Sequence, residues 1–357
     1  MPLTVSGDAG PFKGQTYLYA PETRAAAESG HKLTRADGAI DTVPLVSLIV
    51  VNWNGRDQLE SCLRSIQSCR YPKLEVIVFD NGSTDGSQGV IRESYPFVRL
   101  IENSCNIGYA LGNNRALNVA EGEYLFLVNN DATIEPDCID QLISVASADE
   151  QAGILGCKVY VAGAREGTLE HAGGVVFPTG YTTNRGYLQH DLGQYDETRD
   201  VDYVIGAAMM ISKRVTDKIG LFDVMFSLYY EDTDLCSRAK RAGFRVVYVP
   251  KAIVHHSRSA TTNRVLGTFG RLMHMEKSRI YFVLKNFEAG MLLRWLLLEL
   301  RMLTSMIIRP FEPKSGEHLV ALFESYLWNL RVLRTLIQRR IGSPTAFSNS
   351  DLGSFRT

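Results

Sequence analysis

Apolar residues in this chain come in short dense runs separated by stretches of helical spacing. Val46-Ser47-Leu48-Ile49-Val50-Val51 is an almost unbroken apolar run, suited to a parallel strand buried on both faces. Leu59, Cys62, Leu63 and Ile66 then recur at helical spacing over 56–69, Tyr71-Pro72 closes that helix, and 74–79 reads as a second strand. The alternation goes on with a helix at 87–95, a strand at 98–101, a helix at 111–120 and a strand at 124–128. Strands and helices alternating through short connections predict a doubly wound, Rossmann-like α/β fold with a mostly parallel central sheet. Ligands of such sheets bind at the carboxyl ends of the strands. Residues 154–210 are strand-like and glycine-rich, predicting mixed or antiparallel sheet, with 166–202 shaping substrate pockets. Short helices are predicted at 213–219 and 233–242, and a strand at 245–249, strand-like as far as 254 past Pro250.

The flanks differ from this core. Residues 1–43 lack sustained periodicity and predict a flexible or loosely docked arm, leaving 44–262 as the main domain. Residues 263–342 predict a basic helical region, with helices at 267–287, 289–308 and 315–340, before a flexible tail at 343–357. Between Arg264 and Arg340 there are 13 Lys and Arg against six Glu and no Asp. In the 289–308 helix, Arg294, Arg301 and Arg309 fall on one side and Leu293, Leu296, Leu300, Leu303 and Ile307 on the other. That pattern fits a helix lying on a membrane surface, packing on its own domain, or forming a homodimer face. No apolar run reaches spanning length.

Composition narrows the class further. With 357 residues, 45% hydrophobic and 22% charged, the chain can build a real core, and a net charge of -1 gives no global field for nucleic acid. Six cysteines without C-x-x-C spacing read as reduced thiols of a cytoplasmic protein. No signal peptide is visible at the N-terminus.

The candidate chemistry sits at predicted strand ends. Asn52–Asn54, Asp80 and Asn129-Asn130-Asp131 each follow an apolar run, which places them around one cleft. Asp80 suits either a turn cap or acceptance of a hydrogen bond from a pyrimidine N3–H. Asp131 suits a cap or a divalent cation bridging phosphates, since Mg²⁺ and Mn²⁺ favour oxygen ligands. His255-His256 could complete such a site. The acidic stretch Tyr229–Arg238 carries Glu231, Asp232 and Asp234 just ahead of a predicted helix, with Asp234 suited to capping it.

Taken together, Val46–Asn54 with Phe79–Ser87, Asn106–Tyr109 with Gly112–Asn114, Leu127–Asp131, and Gly206–His255 resemble the family 2 nucleotide-sugar glycosyltransferases of the GT-A fold, in particular their rhamnosyltransferase-like branch. The resemblance covers roughly residues 45–260. It implies that Val51, Trp53 and Asp80 line the donor's base pocket, and that Asn54, Gly108, Asn114, Asn130 and Asp131 belong to the donor site. Asp131 stands at the end of the family's D-x-D motif, here Asn129-Asn130-Asp131, and it implies Mg²⁺ or Mn²⁺ held by Asp131 and His255. Asp232 becomes the general base of an inverting transfer, in which a carboxylate takes the acceptor's proton as its oxygen attacks the anomeric carbon. The implied donor is a dTDP- or UDP-linked sugar, with rhamnose foremost. The implied acceptor is a polysaccharide or polyprenyl-diphosphate-linked glycan of the bacterial cell envelope, reached from the inner face of the cell membrane. Two rivals remain: a catalytically inactive GT-A-fold scaffold or glycan-binding protein, and a nucleotide-dependent oxidoreductase. The oxidoreductase lacks its expected G-x-G-x-x-G turn after the first strand.

Overall fold

The computed structural model describes residues 43–341 apart from 227, 259 and 309–314. The arm at 1–43, save Val43, and the tail at 343–357 lie outside the described residues.

The first half of the chain alternates as its spacing predicts: β1 (Val46–Asn52), α1 (Arg56–Gln67), β2 (Leu74–Asp80), α2 (Ser87–Ser94), β3 (Val98–Glu102), α3 (Tyr109–Leu117) and β4 (Tyr124–Val128). β1 pairs in parallel with β2 and β4, and β2 with β3. The chain then departs from simple winding through β5 (Ala132–Ile134), α4 (Cys138–Ala148) and the long β6 (Ala152–Val161). Short strands follow: β7 (Leu169–His171), β8 (Gly174–Val176), β9 (Thr182–Asn184) and β10 (Arg199–Asp200). β11 (Ala208–Ser212) inserts antiparallel between β4 and β6. After α5 (Lys213–Ile219) and α6 (Glu231–Arg241), β12 (Arg245–His256) runs parallel to β6. The main path of the sheet is β10-β12-β6-β11-β4-β1-β2-β3.

Alternation along the strands divides the core between the two faces of the sheet. Leu48, Val50, Val76 and Val78 pack with Leu59, Leu63, Ile91 and Leu142 on one face. Ile49, Ile77 and Phe79 belong with Ala116, Leu235 and Ile280 on the other. Pro250 does not end β12. The register of β12 on β6 shifts between Val249 and Ile253, a bulge that accommodates the residue lacking an N–H donor.

The C-terminal helices are α7 (Ala260–Asn286), α8 (Ala289–Ile308), α9 (Ser315–Arg331) and α10 (Leu333–Ile341). α7 is interrupted at Gly267, whose φ of 61° lies in the left-handed region, so its regular part begins where the spacing predicts. Ile280, Phe282, Trp295, Leu322 and Leu336 share one core cluster with Phe226 and Tyr230, so these helices are built into the main core. Of the sides that the spacing separates on α8, the leucine side faces outward at Leu293, Leu296 and Leu300, and Met291, Trp295 and Glu299 face inward. The cause is a buried ion pair. Arg279 Nη2 and Nη1 meet the two oxygens of Glu299 at 2.5 and 3.0 Å, and this fixes the rotation of the helix. No helix among the described residues is long and apolar enough to cross a membrane.

Candidate active site

Side-chain amides join the loops at the carboxyl ends of β1, β2 and β4. Asn130 Nδ2 donates to Asn52 Oδ1 at 2.8 Å, and Asn52 Nδ2 donates to Asp80 Oδ2 at 3.1 Å and to Ser83 Oγ at 3.2 Å. Gly55 permits this closeness, because a Cβ there would lie 2.2 Å from Asn130 Nδ2. Asp80 is fully buried, and its Oδ1 accepts from the Ser83 N–H at 2.9 Å and Gln88 Nε2 at 2.7 Å. It therefore organises the 80–88 loop, and its Oδ2, with one donor, keeps a lone pair for a further hydrogen bond. Val51 and Trp53 are partly exposed beside it, with Val51 Cγ1 3.1 Å from where a Cβ on Gly112 would stand. Asn54 takes a left-handed φ of 49°; its N–H donates to Ser83 Oγ at 2.9 Å and its Oδ1 accepts from the Thr84 N–H at 2.8 Å.

Gly108 opens α3 with φ 87° and nothing near its Cβ position, so backbone conformation alone demands glycine. Asn114 stands on the same helix. Its amide is engaged at both ends by the backbone of Phe222, donating to the carbonyl at 2.9 Å and accepting from the N–H at 3.0 Å. It straps α3 to the 220–223 segment.

At the end of β4, Asp131 Oδ1 lies 3.1 Å from Nε2 of His256, the neighbour of the histidine predicted for this role. His255 points to the other side of β12, where Nε2 meets Glu135 Oε1 at 3.0 Å and the ring stacks on Tyr160. Adjacent strand residues face opposite ways, so only one of the two histidines can reach Asp131. The other ring nitrogen of His256, Nδ1, is 2.8 Å from Glu170 Oε2, which fixes the ring's orientation. Burial disfavours charge on this imidazole, but the Asp131 and Glu170 carboxylates outweigh it and raise its pKa to about 10. No group of three or more His, Cys, Asp or Glu among the described residues forms a ready metal cage. A Mg²⁺ or Mn²⁺ would have to displace the proton these carboxylates hold on Nε2; with it gone, one carboxylate and one anchored imidazole fit an ion that takes its remaining ligands from phosphate oxygens and water.

The other carboxylates stand at the start of α6. Tyr229 and Tyr230 are consecutive left-handed residues, φ 65° and 69°, costing on the order of 1–3 kcal/mol each. They turn the chain so that Glu231 and Asp232 form the first turn, two residues earlier than the spacing predicts. Asp232 Oδ2 accepts from the Gly206 N–H at 3.0 Å, and Oδ1 accepts from the N–H and hydroxyl of Thr233 at 2.6 and 3.1 Å. Burial raises the proton affinity of Asp232 against these donors. Glu231 Oε2 is buried with no hydrogen-bond partner, and burial together with the Asp232 charge pushes Glu231 up to about 8. The Tyr109 hydroxyl donates to the Gly206 carbonyl at 2.9 Å. Its pKa is raised by burial, then by Glu231, Asp232 and Asp131, so one tyrosine lies within electrostatic reach of all three carboxylates.

Asp234 is not a cap. It is fully buried on α6, where Oδ2 accepts from Arg238 Nε at 2.7 Å, Oδ1 lies 2.8 Å from Lys285 Nζ, and Oδ1 accepts from Asn286 Nδ2 at 2.9 Å. Lys285 also reaches Asp223 Oδ2 at 2.8 Å. The sequence offers His256 only as half of a pair, Tyr109 only within a motif and Glu170 only within the stretch predicted to shape the pockets, and it shows no sign of the cluster around Asp234.

A mostly parallel half-sheet continued by mixed strands, with carboxylates gathered at strand ends, is the GT-A arrangement. Solved glycosyltransferases share the fold. S. aureus TarS 1–349 in complex with UDP-GlcNAc matches with a TM-score of 0.54 and 16% identity over 79% of this chain and 80% of that one. GalNAc-T7 with UDP, GalNAc and Mn²⁺ matches with 0.54 and 14% identity over 73% of this chain and 52% of that one. Residues 44–271 match the family described as Glycosyltransferase like family 2, and the chain belongs to it. Among relatives, the O-antigen biosynthesis protein RfbC of Myxococcus xanthus is 31% identical over 61% of this chain, which spans 18% of that protein. The N-acetylglucosaminyl-diphospho-decaprenol L-rhamnosyltransferase of Mycobacterium tuberculosis is 29% identical over 63% of this chain and 78% of its own length.

Proposed function

We propose that this protein is an inverting, metal-dependent glycosyltransferase that moves a hexose or deoxyhexose, rhamnose foremost, from a dTDP- or UDP-linked donor. The acceptor is a lipid-linked glycan or growing polysaccharide of the bacterial envelope, met at the cytoplasmic face of the membrane. The rhamnosyltransferase named among the relatives supports the sugar and the polyprenyl carrier. The observation that carries the reading is a division of labour within reach of Tyr109. A half-buried carboxylate of raised proton affinity opens α6, and a separate carboxylate–imidazole pair stands where β4 and β12 end.

In this reading the base of the donor packs at Val51 and Trp53, over the loop that Asp80 holds. Asp131 and His256 would hold the cation, with Glu170 setting the imidazole. When bound, that ion offsets the charge of the departing nucleoside diphosphate. Asp232 accepts the proton of the attacking hydroxyl. Three donors favour its ionised form against the upward push of burial, while burial and the Asp232 charge push Glu231 up to about 8. One base suffices for inversion, whereas a double displacement needs a nucleophile as well.

A donor screen tests the assignment. Thermal unfolding is followed with a panel of nucleotide sugars, each with Mg²⁺ or Mn²⁺. A ligand at a hundred times its Kd stabilises by about 2.7 kcal/mol, so the true donor stands out. Stabilisation by dTDP-rhamnose or a UDP-sugar only when metal is present supports the reading. No response to any nucleotide sugar overturns it.

A further inference from the structure

The rotation of α8 creates a surface with its own chemistry. Leu293, Leu296, Leu297 and Leu300 are 62, 47, 62 and 51% exposed, four leucines on about two turns of one helix. Monomeric soluble proteins seldom leave such a contiguous apolar patch without a use for it. Arg294 and Arg301 are exposed on the same helix, and its only carboxylate, Glu299, is buried against Arg279. The exposed part of α8 from 289 to 306 therefore carries two guanidiniums and no acid.

We propose that this leucine–arginine face of α8 docks in the interfacial layer of an anionic membrane, with the leucines among acyl chains and the arginines at lipid phosphates. A second copy of this chain is a poorer occupant, because it would bring the arginines of both copies together with no exposed carboxylate on the helix to answer them. Lipid phosphates supply that complement.

The face is also coupled to the candidate site. Arg279, which holds Glu299, donates through Nη1 to the Thr179 carbonyl at 2.8 Å. The next carbonyl, Gly180, accepts from the Tyr230 hydroxyl at 3.0 Å, and Tyr230 immediately precedes Glu231 and Asp232. A membrane-docked α8 would thus hold the start of α6 at a set height above the lipid. The inference rests on the lipid-linked acceptor of the proposed function, and it names the surface that meets the lipid.

The test is sedimentation of the full chain with vesicles of phosphatidylcholine alone or mixed with phosphatidylglycerol. The parent should bind the mixed vesicles and be released by salt. Leu293→Gln/Leu297→Gln/Leu300→Gln should weaken binding at least roughly tenfold with an unchanged melting temperature, since it removes exposed side chains only. Arg294→Gln/Arg301→Gln should remove the preference for anionic lipid. Equal binding by parent and leucine variant overturns the proposal. So does a parent that is dimeric in solution and becomes monomeric in the leucine variant without binding vesicles. Transfer to a soluble acceptor is measured alongside: its persistence with no vesicle binding sinks the docking face alone, and vesicle binding with no transfer sinks the enzymatic reading alone.

Discussion

Lys285→Met is the perturbation that most directly probes how α6 is held. Lys285 Nζ lies 2.8 Å from both Asp223 and Asp234, and all three side chains are at most 5% exposed. Removing the ammonium leaves two buried carboxylates with less positive charge. Breaking a buried pair by deleting one partner costs about 3–5 kcal/mol. Here Arg238 still donates to Asp234, and Arg339 still contacts Asp223, so neither acid is left alone and the low end, about 3 kcal/mol, applies. With an unfolding entropy of about 2.1 cal/mol/K per residue, that lowers the melting temperature of a chain of this size by about 4–5 °C. The assay is thermal unfolding by circular dichroism of the parent, Lys285→Met, and Lys285→Met/Asp223→Asn, which deletes one of the stranded charges and should recover part of the loss. A Lys285→Met protein that melts with the parent would show that the cluster does not fix α6.

Two further predictions concern the site. His256→Ala should abolish or greatly weaken Mn²⁺ binding measured calorimetrically with a nucleoside diphosphate, His255→Ala should leave it close to the parent, and Glu170→Ala should weaken it about 10- to 100-fold; loss in His255→Ala with His256→Ala near the parent would return the role to His255. Glu231→Gln should gain stability over the parent progressively from pH 5 to 8. The folded protein keeps the Glu231 proton up to about 8 while the unfolded chain releases it near the ordinary carboxylate value, so the parent loses stability as pH rises through that window. Parallel stability curves for the two proteins would contradict it.

The first half of the fold was legible because β1, β2 and β4 are apolar runs and α1 has clean helical spacing. α4 carried the same signal in Ile139, Leu142, Ile143 and Ala146, but sits where the simple alternation breaks, and the strand-and-helix reading passes over it. The histidine pair shows why a motif locates a site better than it locates an atom. The bulge after Pro250 resets which residues of β12 face which side, and no period in the sequence reports that. Asp234 resembles a cap because its partners Lys285 and Asn286 lie some fifty residues downstream. Which way α8 faces was left open for the same reason: the wheel separates leucines from arginines, whereas the Arg279–Glu299 pair decides which face turns inward. Non-local charge pairs, rather than hydrophobic pattern, account for most of what was not legible.

Asp232 carries the central claim, and its test is direct. Asp232→Asn keeps the shape of the side chain but replaces one of its two accepting oxygens with an NH2, so the protein should stay folded with a melting temperature lowered by the loss of one acceptor, about 1–3 kcal/mol, while proton acceptance is lost. Initial rates of sugar transfer from the donor found by the screen, measured at saturating metal, should fall by about 10²- to 10⁴-fold, the usual contribution of a positioned base. A folded Asp232→Asn protein that transfers sugar within a few-fold of the parent rate would contradict the account.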